Sequence, residues 1–225
     1  MKESKFIVIK DDEFAVLCAL YGITHFFGTL EMGAAKLSKQ EIYALVYQLY
    51  KKDLLVYDND KIVLAPSIKM IGEGIKHATR LLSLVNPVTS ENHSFYYDPH
   101  TDWCINLQKG WEDPNSIRLR CIDKEEVILV GEEAELLPKQ LLDEVSIQNI
   151  QLDEAETVLK EYLVLNVYDL DTDERLVEIQ VGMASLSAVL VYRDETMTYK
   201  EVYVLGRLKR LITTLLQGEK HYDNG

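Results

Sequence analysis

Between Ser116 and Gly131 the chain alternates by twos: Ile117, Leu119 and Cys121 are apolar, with Arg118 and Arg120 between them. That period belongs to a strand with one buried and one wet face. The stretch predicts two strands, Ile117–Ile122 and Val127–Val130, joined by a charged turn at 123–126. Its outline returns over Ala188–Asp194, 71 residues on (188 − 117 = 71), and Tyr97-Asp98 recurs as Tyr168-Asp169 at the same offset. Residues from about 94 onward therefore read as two related strand-rich halves, each closed by a helix.

The first part of the chain has a different rhythm. Phe6–Ile9 is a short apolar strand, followed by Asp11 or Asp12 as a helix cap. Phe14, Leu17, Cys18 and Tyr21 then fall on one helical stripe that stops at Gly22. Residues 23–37 read as a loop. Ser38 and Glu41 form a capping box for a helix over 38–52, with Ile42, Leu45, Val46, Leu49 and Tyr50 at helical spacing. Leu54–Tyr57 and Lys61–Leu64 flank a polar turn and predict a hairpin. Pro66 opens another helix extending to about Leu84, although Gly72 and Gly74 weaken it by roughly 1 kcal/mol each relative to alanine. Strand, helices, hairpin and helix in this order make a winged-helix-like module over 1–87. Under a DNA-binding reading the outward contacts are Lys39, Gln40, Tyr43 and Tyr47.

Charge separates the two parts. The 225-residue chain carries a formal net charge of −13. Residues 1–87 hold 11 Lys/Arg against 10 Asp/Glu, and the remainder 13 against 27. The acidic remainder repels phosphate backbones, and the first part lacks the basic stripe that duplex binding needs, so nucleic acid is disfavoured as a partner. Cys18, Cys104 and Cys121 lack paired spacing and sit in apolar patterns, which predicts buried thiols. The N-terminus does not read as a signal peptide, and no apolar run reaches the ~20 residues of a membrane span. The expected location is cytoplasmic.

Asn86-Pro87 and the linker Val88–His93 lead into the second part. The expected domains are 1–87, a first sheet half with its closing helix over 88–150, a helix plus second half with a C-terminal helix over 151–218, and a disordered tail over 219–225. Ser94–Tyr97 and Trp103–Leu107 predict strands, and Glu135–Val145 and Asp153–Leu163 predict helices. Strands follow at Val164–Tyr168, Leu176–Val181 and Ala188–Arg193. A capping box at Thr198 and Glu201 predicts a helix from about Tyr199 to Gln217; the competing strand reading rests on the echo of Glu126–Gly131 in Glu201–Gly206. The fold class is α+β.

No catalytic, cofactor or metal set emerges. Asp169, Asp171 and Asp173 resemble the start of a calcium loop, but its required Gly and Glu are replaced by Glu174 and Gln180, so an acidic turn is expected. The five histidines include no helical metal pair. Nucleotide-loop and serine-elbow motifs are missing from the sequence. Trp111 and Pro114, in a loop after the second strand, are the candidate partner contacts, against the alternative that the indole folds onto the sheet edge.

Phe6–Leu20 (FIVIKDDEFAVLCAL), Glu41–Tyr57 (EIYALVYQLYKKDLLVY), Ala65–Ile75 and the run Ile117–Val145 together resemble, in pattern, the EspG-type cytosolic chaperones of type VII (ESX) secretion. The resemblance implies two quasi-symmetric sheet-and-helix halves. It also implies a non-enzymatic role holding a small helical exported heterodimer soluble. The expected protein acts alone or as a homodimer. A winged-helix transcriptional regulator with a C-terminal sensing or oligomerisation domain is the alternative.

Overall fold

The computed structural model describes residues 6–23, 37–109, 113, 115–139, 160–184 and 187–219. In chain order these contain β1 (Ile7–Lys10), α1 (Asp11–Tyr21), α2 (Lys39–Lys51), β2 (Leu55–Asp58), β3 (Lys61–Leu64), α3 (Pro66–His77), β4 (Arg80–Asn86), β5 (Glu91–Tyr97), β6 (Trp103–Lys109), β7 (Ser116–Asp123), α4 (Glu126–Glu133), β8 (Lys160–Asp169), β9 (Arg175–Ala184), β10 (Ser187–Asp194), β11 (Thr198–Val202) and α5 (Leu205–Leu216). Nine strands form one antiparallel sheet in the order β1-β7-β6-β5-β4-β8-β9-β10-β11, and β2 and β3 form a separate hairpin. The fold is α+β.

Alternation along the strands splits the apolar residues into two cores. On one face α1 and α3 pack against Leu81, Tyr96, Ile105, Leu107, Ile117 and Leu119. On the other, Val127 and Val130 of α4 and Leu208, Leu211, Ile212 and Leu215 of α5 cover Leu82, Leu84, Phe95, Leu165, Ile179 and Leu190. Buried tyrosines tie distant elements: Tyr97 donates its hydroxyl proton to the carbonyl of Leu215 at 3.0 Å, and Tyr203 to that of Pro138 at 2.5 Å.

Local chemistry sets several boundaries as expected. The Ser38–Glu41 capping box forms, with amide contacts of 2.7 and 3.3 Å. Gly22 ends α1 at φ 70°, the left-handed conformation that suits a C-cap glycine. Asn59 and Asp60, at φ 47° and 62°, make the β2–β3 turn with both central residues at positive φ. The acidic turn after β8 also forms, with Asp169 accepting from the amides of Asp171 and Thr172 at 2.9 and 3.1 Å.

Other boundaries differ. The N-cap of α1 is Lys10, whose amide donates to the Glu13 carboxylate at 2.7 Å, and Asp11 and Asp12 are the first helical residues rather than the cap. The helix expected to reach Leu84 stops at His77, and Arg80–Asn86 is the central strand. The expected linker is the turn and first residues of the β4–β5 hairpin, so the boundary placed after residue 87 falls inside that turn. Val127–Val130 is helical, because Val127 and Val130 at i, i+3 are buried while Leu129 faces out. Residues 134–139 are not helical, and the rest of the helix expected over 135–145 lies outside the described residues, as does 153–159 of the next one. Its end, 160–163, belongs to β8. Thr198–Val202 is an edge strand paired with β10, and the C-terminal helix starts at Leu205.

The two helix-weakening glycines are explained by close approach. A methyl on Gly74 would stand 2.7 Å from Ile105 Cγ1 and from the Trp103 ring, and one on Gly72 would stand 2.2 Å from the Tyr21 ring. Gly74→Ala should therefore lower stability despite its gain of about 1 kcal/mol in helix propensity, since overpacking costs roughly 1–3 kcal/mol. A chemical-denaturation series checks this, and a rise in stability would contradict the packing.

Candidate functional site

Helix α2 buries only a narrow stripe. Leu49 is fully buried and Leu45 and Val46 partly so, while Ile42 and Tyr50, expected to face in, are exposed. Tyr43, Tyr47 and Tyr50 recur at i, i+4, i+7, which aligns them in one outward row. Lys39 and Gln40 are exposed at the start of the same helix. The Lys51 ammonium stands 4.7 Å from the centre of the Tyr47 ring, a cation–π contact within the row.

The hairpin that follows is just as open. Val56, Tyr57, Ile62 and Val63 are all exposed. Strands of four residues with one partner each can bury little area, and here only Leu55 is fully buried. A groove of about 610 Å³ runs between the hairpin and the end of α1, lined by Leu20, Tyr21, Val46, Leu55, Ile62 and Leu64. Val46 follows Tyr43 by three residues and precedes Tyr50 by four, so groove and tyrosine row share an edge.

Tyr21 carries an unusual feature. Its hydroxyl is buried and has no hydrogen-bond partner among the described residues. Burial, with Glu73 adding a smaller like-charge effect, pushes the phenol up to about 12. The module is held underneath by Glu13, which is buried and accepts from Lys52 at 2.5 Å, fixing the end of α2 against the start of α1.

Charge decides what such a surface attracts. Residues 37–77 contain six lysines, no arginine and five acidic residues. Lys52 is already committed to Glu13. A face of this balance gives almost no counterion release against a phosphate backbone.

Two further polar places lie on the sheet and at its edge. On the α4 side of the sheet, Glu91 and His93 of β5, Asn106 and Gln108 of β6 and Arg120 of β7 form a polar row. Neutral His93 satisfies two neighbours in one tautomer: Nε2–H donates to Glu91 Oε1 at 3.2 Å, and Nδ1 accepts from Asn106 at 3.4 Å. Gln108 donates to the same Glu91 oxygen at 2.7 Å, and Arg120 Nε to Asn106 Oδ1 at 3.4 Å. Arg120 also lies over the Phe6 ring, 4.3 Å from its centre. The second place is a cleft of about 550 Å³ beside Asp102, Asp123, Lys124 and Glu125. Lys124, its only cation, spends its protons on the carbonyls of Asp98 and Pro99 at 2.8 and 3.0 Å. No group of three or more His, Cys, Asp or Glu suited to a metal occurs among the described residues. Cys18 and Cys104 are buried, Cys121 is half-buried, and all three are free thiols.

Trp111 and Pro114, the partner contacts expected from sequence, lie outside the described residues. Lys39, Gln40, Tyr43 and Tyr47 are placed together on the outward side of α2, with the hairpin residues as neighbours that sequence reasoning passed over. The missed signal was the shortness of the hairpin strands. No protein-family model matches the chain, and no curated protein matches it in sequence. No helix among the described residues is long and apolar enough to cross a membrane.

Two outcomes follow from these geometries. Tyr21→Phe removes a buried, unpartnered hydroxyl and should leave stability unchanged or raise it by about 1 kcal/mol; a clear loss in thermal unfolding would reveal a partner for the hydroxyl. For His93, burial lowers the imidazole below its ordinary 6.5, with Glu91 opposing in part and Arg120 adding to the shift. A depressed folded-state value means that stability is full above pH 6.5 and is lost as pH falls toward the folded value. The melting temperature should drop below that pH, and His93→Gln should flatten the dependence.

Proposed function

We propose that this chain is a non-enzymatic protein-binding protein, and that the tyrosine row of α2 with the β2–β3 hairpin is its contact face. The observation that carries the reading is the concentration of exposed aromatic and aliphatic side chains there, beside an apolar groove. Contiguous apolar area of this kind marks protein contact sites, and tyrosine is among the residues favoured at them.

The order strand, helix, helix, hairpin, helix supports a winged-helix-like reading of the first module, used for protein contact. The balance of six lysines and five acidic residues weighs against duplex DNA as its occupant. Strands β7 and β10 support the quasi-repeat, since Ser116 and Asp123 stand at the 71-residue offset from Ser187 and Asp194 (187 − 116 = 71). Corresponding residues face opposite cores: Ile117 and Leu119 pack on the α1–α3 side, Ala188 and Leu190 on the α4–α5 side. A two-fold rotation about β4 would exchange the faces in this way. This pseudo-symmetry fits the resemblance to secretion chaperones, and with it a small helical exported pair as the partner class.

Affinity purification from the native cell tests the reading. Wild-type chain should co-elute a small helical pair, and the double variant Tyr47→Glu, Tyr57→Glu should lose it. Salt-sensitive retention on duplex DNA by the wild type, or capture unaffected by the two substitutions, would refute it.

A further inference from the structure

A face this apolar is exposed to water whenever the partner is away, and the molecule offers one occupant suited to it. Tyr43, Tyr47, Tyr50 and Tyr57 are 73%, 56%, 46% and 65% exposed. At about 200 Å² per tyrosine these four alone present roughly 480 Å². Ile42 and Ile62 add to that, whereas Val56 and Val63 alternate with Tyr57 and Ile62 and open on the other side of the hairpin. The total is a large part of the ~800 Å² per partner of a stable interface and stands at the upper end of what a monomer commonly leaves open.

Charge then selects among occupants. Most of the chain is strongly acidic, 13 Lys/Arg against 27 Asp/Glu after residue 87, so two copies repel through those surfaces. The first 87 residues are nearly neutral, at 11 against 10. The exposed rim alternates in sign, with Lys39 and Glu41 at one end of α2 and Lys51 and Asp53 at the other. Such a rim is complementary to itself under a two-fold axis, where each lysine of one copy can meet an acid of the other. The same neutrality offers no steering to a strongly charged partner.

We propose that a second copy of this chain covers the α2–hairpin face, in a symmetric dimer that keeps the face out of water until a partner displaces it. The inference rests on the reading of this face as a protein contact. It adds that capture and self-association compete, so uptake of a partner should weaken as the chain becomes more concentrated. Tyr47 is the middle residue of the α2 row and Tyr57 the exposed aromatic of the hairpin, so these two are the anchors the inference assigns to the interface, where aromatic residues carry most of the affinity.

Sedimentation equilibrium of the full chain, from about 0.1 to about 100 μM, tests this range of affinities directly. The expected result is a reversible dimer whose dissociation constant rises at least ~30-fold in Tyr47→Glu, Tyr57→Glu, as loss of central aromatic anchors implies. The conservative pair Tyr47→Phe, Tyr57→Phe should keep the dimer. These positions are exposed, so circular dichroism of each variant should match the wild type. A wild type that is monomeric throughout, or a dimer indifferent to the glutamate pair, overturns the inference. A monomer whose partner capture is still lost in the glutamate variant removes only the second copy; capture indifferent to both substitutions removes the protein-contact reading as well.

Discussion

Strand β4 is the constraint on which the rest of the structure depends. Its seven residues pair with β5 on one side, and six of them, Arg80 to Val85, pair with β8 on the other, antiparallel to both. Leu81 enters the core beneath α1 and α3, while Leu82 and Leu84 enter the core beneath α4 and α5. One short segment thus joins two cores and two meanders, β5-β6-β7 on one side and β8-β9-β10-β11 on the other. Each of these leucines is buried, which stabilises by about 1.5–3 kcal/mol apiece. Arg80 pairs with Asp169 at the end of β8, and the same guanidinium donates to the Thr79 carbonyl at 3.0 Å, so an ion pair marks the register between the meanders. A register slip of one residue would turn Leu82 and Leu84 away from their core together.

That double duty is also why β4 was the hardest element to see in the sequence. A strand buried on both faces loses its alternation and becomes a plain apolar run. Following a helix with good periodicity, Arg80–Leu84 reads as the helix continuing. The reverse error occurred at Glu126–Glu133, where a β-branched run suggested a strand. Its true period appears only in the contrast between buried Val127 and Val130 and exposed Leu129. Where local backbone chemistry sets a boundary, sequence and structure agree at the Ser38–Glu41 capping box, at Gly22 and at the Asn59-Asp60 turn, though not at the start of α1. The Thr198–Glu201 pair has the same spelling as a capping box but sits in a strand, and Glu201 instead meets Arg207 at 3.4 Å. Pairing with β10 outweighed that local preference.

The candidate site was legible in the same uneven way. The outward residues of α2 follow from its periodicity, so Lys39, Gln40, Tyr43 and Tyr47 came out together. Their meaning depended on what surrounds them, and periodicity says nothing of that. The hairpin strands read as ordinary apolar pairs, and only in three dimensions does their lack of a covering element become visible. The glycines of α3 make the complementary point. As helix residues they looked like defects, yet they admit the Tyr21 ring and the Trp103 and Ile105 side chains that seat the module on the sheet.

Tyrosine usage distinguishes support from contact within one molecule. Tyr97 and Tyr203 are buried with their hydroxyls spent on backbone carbonyls, the arrangement expected where a phenol must enter a core. The rings of Tyr43, Tyr47 and Tyr57 are turned outward, where a phenol contributes area with few rotors and a polar tip that keeps the free surface in solution. The same residue type therefore closes the core beneath α4 and α5 and opens one face. The near-neutral charge of that face matters as much as its aromatic content, because the acidic remainder of the chain supplies solubility without crowding the contact with repulsion. On the contact face proposed above, affinity would come from burying apolar area and would respond weakly to salt.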